Sequence, residues 1–175
     1  YLENMDSFFY NDSGDMMDKT NLSRLESDQR EALFFKTLVG YLEKDVPLIT
    51  NLANFVAVIC FFRPDLNWVG FYLEHEGSLF LGPFQGKPAC TRIESGRGVC
   101  GKAMATKSTV LVPDTDRFPG HIVCDSEAKS ELVIPLIKDG RFLGVLDLDA
   151  PAVGHLQEKD RILFEKAVRI LIDFI

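Results

Sequence analysis

Two strongly apolar runs, Glu131–Ile137 (ELVIPLI) and Arg141–Asp149 (RFLGVLDLD), flank the tripeptide KDG. An Asp-Gly turn between two runs of this kind is a β-hairpin signal, and their apolar character expects both strands in the middle of a sheet. A second hairpin is expected from Leu66–Leu73 and Ser78–Phe84, joined by EHEG, and Thr109–Val112 reads as a brief strand closed by Pro113. Helical periodicity lies outside this strand block. Leu25–Lys44 repeats apolar residues at helical spacing with Ser27 or Asp28 as cap, and Leu48–Phe62 is a more apolar helix opened by Pro47 and stopped by Arg63–Pro64. Leu156–Ile175 completes the set as a C-terminal helix. Helices at both ends of a run of hairpins predict an α+β fold. Its central antiparallel sheet has the N- and C-terminal helices packed on one face and the loops on the other.

A chain of 175 residues holds one domain with a sizeable core, and no repeat or linker calls for a second. The net charge of −7 and scattered basic residues exclude a sequence-independent grip on nucleic acid. The longest near-continuous apolar run, Leu52–Phe62, is far shorter than the roughly 20 residues that cross a bilayer, so no membrane span is expected. Residues 1–24 read as a flexible acidic extension without the basic leader of an export signal, with Met5 as the expected natural start and residues 25–175 as the domain. Four cysteines in such a chain point to the cytoplasm, where thiols are kept reduced and disulfides are transient.

Three of those cysteines, Cys90, Cys100 and Cys124, fall between Gly82 and Asp125, outside any apolar core pattern. Cys90 and Cys124 sit in stretches rich in Gly, Pro and Asp, and Cys100 opens the short helical run GVCGKAMAT. The fourth, Cys60, lies among Val58, Ile59, Phe61 and Phe62 and is expected to be a buried structural thiol. No close C-x2-C pair exists to pre-form a zinc site, and the DTD and DSE stretches lack the spacing of a calcium loop, so no metal is expected and these acids read as caps and turns. GRGVCGKA comes within one residue of a phosphate-binding P-loop, but Ala103 stands where a hydroxyl must hold magnesium. The remaining chemistry is thiol–disulfide exchange between a reacting and a resolving cysteine. His121 near Cys124 and the helix start at Cys100 are both candidate activators, and spacing does not choose between them.

Carboxylates and aromatics join this picture through strand alternation. On the second strand of the central hairpin Phe142, Gly144, Leu146 and Leu148 share one face, and Leu143, Val145, Asp147 and Asp149 the other. If Glu131 reaches the same pocket, mutual repulsion keeps at least one of the three acids protonated near neutral pH, able to donate. In the first hairpin Trp68, Gly70 and Tyr72 share a face; the gap at Gly70 between two aromatics could admit a ligand, and the alternative, which the pattern alone favours, is that Trp68 and Tyr72 pack on a helix.

Taken together, NWVGFYL, GPFQGKPACTRIESGRGVCGKA, DRFPGHIVCDSEAKSE and GVLDLD resemble the free methionine-(R)-sulfoxide reductase family, a catalytic branch of the GAF domains. The resemblance covers the chain from about Leu25 to the C-terminus and implies a GAF-like fold. It implies that Cys124 attacks, Cys100 resolves and Cys90 is an auxiliary thiol, with Glu131, Asp147 and Asp149 as the acidic pocket and Trp68 and Tyr72 as its aromatic wall. The implied reaction reduces free methionine-(R)-sulfoxide. An acid protonates the oxygen, Cys124 becomes a sulfenic acid, Cys100 condenses with it to a disulfide, and a thioredoxin-type donor restores the thiols. No cofactor is implied, and a homodimer is compatible with the reading. The alternative is a non-catalytic GAF module that binds a small ligand or senses oxidation through a Cys100–Cys124 disulfide.

Overall fold

The computed structural model describes Leu22, residues 24–119 and residues 127–175. Most of the acidic extension, His121 and Cys124 lie outside the described residues. Asp139 and Gly140 both take positive φ, 51° and 77°, the type I′ geometry that suits right-twisted strands. They close β5 (Ser130–Lys138) onto β6 (Arg141–Ala150), in register from Lys138 opposite Arg141 to Ser130 opposite Ala150. Glu76 and Gly77, with φ of 48° and 80°, do the same for β1 (Trp68–His75) and β2 (Ser78–Gln85), so the strand continues through His75 instead of turning at EHEG. β1 also pairs with β6, which fuses the two hairpins. The edge strands are β3 (Arg92–Glu94), which sequence polarity hid, and β4 (Val110–Val112). The six-stranded order is β3-β2-β1-β6-β5-β4, antiparallel at every pairing.

One irregularity corrects the expected alternation. In β6, Leu136 faces Gly144 but Ile137 faces Phe142, so Leu143 is a bulge residue. Phe142 therefore packs on the side of Val145 and Leu143 on that of Leu146, the reverse of strict period two. Gly144 permits the bend, since a Cβ there would lie 2.2 Å from the Tyr72 carbonyl oxygen.

Three helices cover one face of this sheet. α1 (Ser27–Gly40) is capped by Glu26 in a reciprocal capping box with Gln29, one residue before the expected caps. α2 (Leu48–Phe62) has the expected limits and buries Leu52, Phe55, Val56, Ile59 and Phe62. α4 (Glu158–Ile172) begins with a second capping box between Gln157 and Asp160. Together they bury Val69, Phe71, Leu132, Leu146 and Leu148 from the sheet, each worth about 1.5–3 kcal/mol. Arg63, just beyond α2, reaches Asp65 at 2.8 Å and the buried Asp160 of α4 at 2.6 Å, pinning the two helices. The opposite face carries α3 (Gly98–Thr106), the loops and a separate cluster built on Trp68 and Tyr72. Asp114 caps a 3-10 turn at Thr115–Arg117, as expected of the DTD stretch. No helix among the described residues is long and apolar enough to cross a membrane.

Candidate active site

The register places the acids and aromatics in rows across three strands. Asp149 of β6 has Trp68 of β1 on one side and Glu131 of β5 on the other. One step along, Asp147 sits between Gly70 and Val133, and Tyr72 follows beside Val145. The space that Gly70 leaves is filled by the protein's own Trp68 and Phe84. A Cβ on Gly70 would stand 2.4 Å from Trp68 Cη2 and 2.5 Å from Phe84 Cβ, so the absent side chain makes room for the indole to lie along the strand. That indole stacks on Tyr72 and Phe84, with ring centroids 5.9 and 5.5 Å away, and its Nε1 donates to the Lys87 carbonyl at 3.1 Å. Trp68 and Tyr72 thus form a fixed wall, not a slot.

Cys100 enters from the first turn of α3 and is 3% exposed, inside the apolar cluster that sequence pattern placed it outside. Its thiol donates to Asp147 Oδ2 at 3.2 Å. Glu131 and Asp147 are 6% and 7% exposed, and Oδ1 of Asp147 is buried without a hydrogen-bond partner. Burial, then the charge of Asp149, pushes the Glu131 carboxyl well above its usual range, and burial, then Glu131, does the same to Asp147. Both carboxyls therefore hold protons at pH values where free acids have lost them, and burial outweighs the mutual repulsion of the acids as the cause. The same forces act on Cys100: burial first, then Asp147 and Glu131, raises its thiol well above the ordinary value. The helix start does not activate it, because desolvation and neighbouring carboxyls outweigh a few backbone N–H groups.

A cavity of about 40 Å³ lies here, bordered by Trp68, Tyr72, Cys100, Glu131, Asp147 and Asp149. Cys90 is half-buried in the loop between β2 and β3 and is disulfide-bonded, while Cys60 and Cys100 are free thiols, so its partner lies outside the described residues. Among the described residues Cys90 is thus the disulfide-bonded cysteine and Cys100 a free thiol. Cys60 is half-buried in α2, and burial pushes its thiol up to about 11, as suits a structural cysteine. Sequence reasoning missed Arg97, the residue preceding α3 and the one basic side chain bordering the cavity among the described residues. It also missed Phe84, whose stacking on Trp68 depends on the β1–β2 register.

Fold and pocket together define a class: the GAF domain, whose family model matches residues 48–171. Within that class the chain is 39% identical over 160 residues to the free methionine-R-sulfoxide reductase of Saccharomyces cerevisiae, covering 87% of each chain. It is 41% identical over 128 residues to the Escherichia coli protein of that name, covering 73% of this chain and 75% of the other. The free methionine-R-sulfoxide reductase of Neisseria meningitidis, solved in complex with its substrate, superposes with a TM-score of 0.78 at 40% identity, over 85% of this chain and 91% of that one. The chain belongs to the free methionine-R-sulfoxide reductase family.

Proposed function

We propose that this chain reduces free methionine-(R)-sulfoxide to methionine, with a thiolate attacking the sulfoxide and a neutral carboxylic acid serving its oxygen. The observation that carries this reading is the pair Glu131 and Asp147, buried and held protonated beside an aromatic wall. A sulfoxide is a poor electrophile until its oxygen is protonated, so a neutral acid supplies what a thiolate alone lacks. General acids of this kind contribute about 10²–10⁴-fold. Cys124 is the proposed attacking thiolate: its sulfur attacks the sulfoxide sulfur as a neutral acid among Glu131, Asp147 and Asp149 gives its proton to the oxygen. The S–O bond to methionine then breaks as the hydroxyl passes to the Cys124 sulfur, and a sulfenic acid on Cys124 and free methionine result. The Cys90 thiol then condenses with the sulfenic acid, expelling water and forming a disulfide. This gives Cys90 the resolving role that the resemblance assigned to Cys100. Its support is that Cys90 is disulfide-bonded, whereas Cys100 is a buried, reduced donor to Asp147. A dithiol donor of the thioredoxin type would return the disulfide to two thiols. The Asp149 carboxylate would hold the substrate ammonium. A peptide bond removes that charge, which favours the free amino acid.

The test is methionine release from both epimers of free and peptide-bound sulfoxide with dithiothreitol as reductant. Turnover confined to the free R epimer, abolished in Cys124→Ser and lowered ~10²-fold or more in Glu131→Gln, is the expected result. Absence of turnover, or equal turnover of the peptide-bound form, would sink the proposal. Cys90→Ser should release one methionine per chain with phosphine-free, thiol-free buffer and then stop.

A further inference from the structure

We infer that Cys100, Glu131 and Asp147 form a binding site for a thiophilic divalent cation of the zinc type, with a fourth coordination position opening on the cavity. One donor atom from each residue lies within 4.8 Å of the other two, and all three residues are buried. The closest pair, Cys100 Sγ and Asp147 Oδ2, stands 3.2 Å apart. A tetrahedral zinc with sulfur at about 2.3 Å and oxygens at about 2.0–2.2 Å spaces its donors by roughly 3.3–3.6 Å, so side-chain shifts of about 1 Å close the longest edge. A second observation points the same way: Oδ1 of Asp147 is buried in this cluster without a hydrogen-bond partner. A metal would satisfy it.

The donor set selects the ion. One thiolate with two carboxylates suits Zn²⁺, Cd²⁺ or Co²⁺ and disfavours Ca²⁺ and Mg²⁺, which ask for six or more hard oxygen ligands. No sequence pattern could reveal the site, because its ligands come from three separate elements: the first turn of α3, the head of β5 and the middle of β6. Binding replaces protons that the thiol and the acids carry in its absence, so affinity rises with pH. The cation also takes the groups that the reductase reading gives to the sulfoxide. On that reading alone it is a competitive inhibitor.

Phosphine-reduced full-length protein is titrated with Zn²⁺ by calorimetry and with Co²⁺ by absorption. One ion per chain is expected, with a thiolate-to-cobalt charge-transfer band and tighter binding at pH 8 than at pH 6. Cys100→Ser and Asp147→Asn should each weaken Zn²⁺ by ~10-fold or more. Cys60→Ser and Cys90→Ser should bind it as the parent does. Circular dichroism checks that each variant is folded, and Glu131→Gln stands in for either ligand variant that is not. No stoichiometric binding, binding retained in folded Cys100→Ser, or binding lost in Cys90→Ser overturns the inference. Sulfoxide turnover by the metal-free protein is measured alongside. Turnover without metal binding defeats the metal site alone, and metal binding without turnover defeats the reductase reading alone.

Discussion

Replacing Gly70 by alanine tests how the aromatic wall is built. The added methyl would meet Trp68 Cη2 at 2.4 Å, Phe84 Cβ at 2.5 Å and Trp68 Cζ3 at 2.8 Å, all inside van der Waals contact. Phe84 Cβ is bonded directly to the backbone of β2, so it cannot swing away, and the indole is held between Tyr72, Phe84 and the Lys87 carbonyl. Something in a fully packed layer must shift, and overpacking of this kind costs about 1–3 kcal/mol. For a domain of this size each kcal/mol lowers Tm by about 2–4 °C, so the middle of that range predicts a fall of about 4–8 °C. Trp68 is the chain's one tryptophan, and its fluorescence reports on the displaced ring directly. The expected outcome is a lower Tm by calorimetry with an altered Trp68 emission in the folded state. Trp68→Phe, which withdraws both indole carbons nearest the new methyl, should shrink the Tm loss that Gly70→Ala causes. An unchanged Tm and an unchanged emission spectrum in Gly70→Ala would show that the indole does not occupy the space over Gly70, and the account of the wall would fail.

Two further perturbations probe charge. Glu131 and Asp147 have raised folded-state pKa values, so the folded chain keeps protons that the unfolded chain releases above about pH 4. Their stabilising contribution is complete below that pH and is lost as pH climbs toward the folded values. Asp147→Asn should therefore flatten the fall in urea midpoint between pH 5 and pH 8, and an unaltered slope would refute the assignment. Asp65 has the opposite sign: burial raises it, but hydrogen bonds from Arg63 and His155 hold its carboxyl below the usual range, so its contribution disappears only in acid. Arg63→Ala leaves the buried Asp160 with the Gln157 backbone N–H at 2.9 Å but without its cation, at a cost of about 3 kcal/mol. A denaturant midpoint shift equivalent to less than about 0.5 kcal/mol would mark the pair as a surface one.

Much of the scaffold was legible because local chemistry agreed with the fold. Pro47 and Arg63–Pro64 bracket α2 at the observed limits, Asp139–Gly140 demands a tight hairpin, and period-two spacing puts Asp147 and Asp149 on one face with Trp68 and Tyr72 on the matching face of β1. These are near-neighbour constraints, set by φ preferences and side-chain alternation. The bulge at Leu143 was not legible, because it arises from how β6 must bend past the Tyr72 carbonyl on another strand. The occupied space over Gly70 was not legible either, since absence of a Cβ looks the same whether a ligand or an indole fills it.

The thiols divide along the same line. Sequence alone determined that Cys90, Cys100 and Cys124 are set apart from the apolar helix that holds Cys60, and that acids alternate onto the face where such chemistry would sit. Only the tertiary structure decided that Cys100 is desolvated against Asp147 and kept as a thiol, and that Cys90 is the disulfide cysteine among the described residues. The physical reason is that reactivity depends on burial and on charges a few ångströms away through space. Those neighbours, contributed here by α3, β5 and β6, are tens of residues apart along the chain.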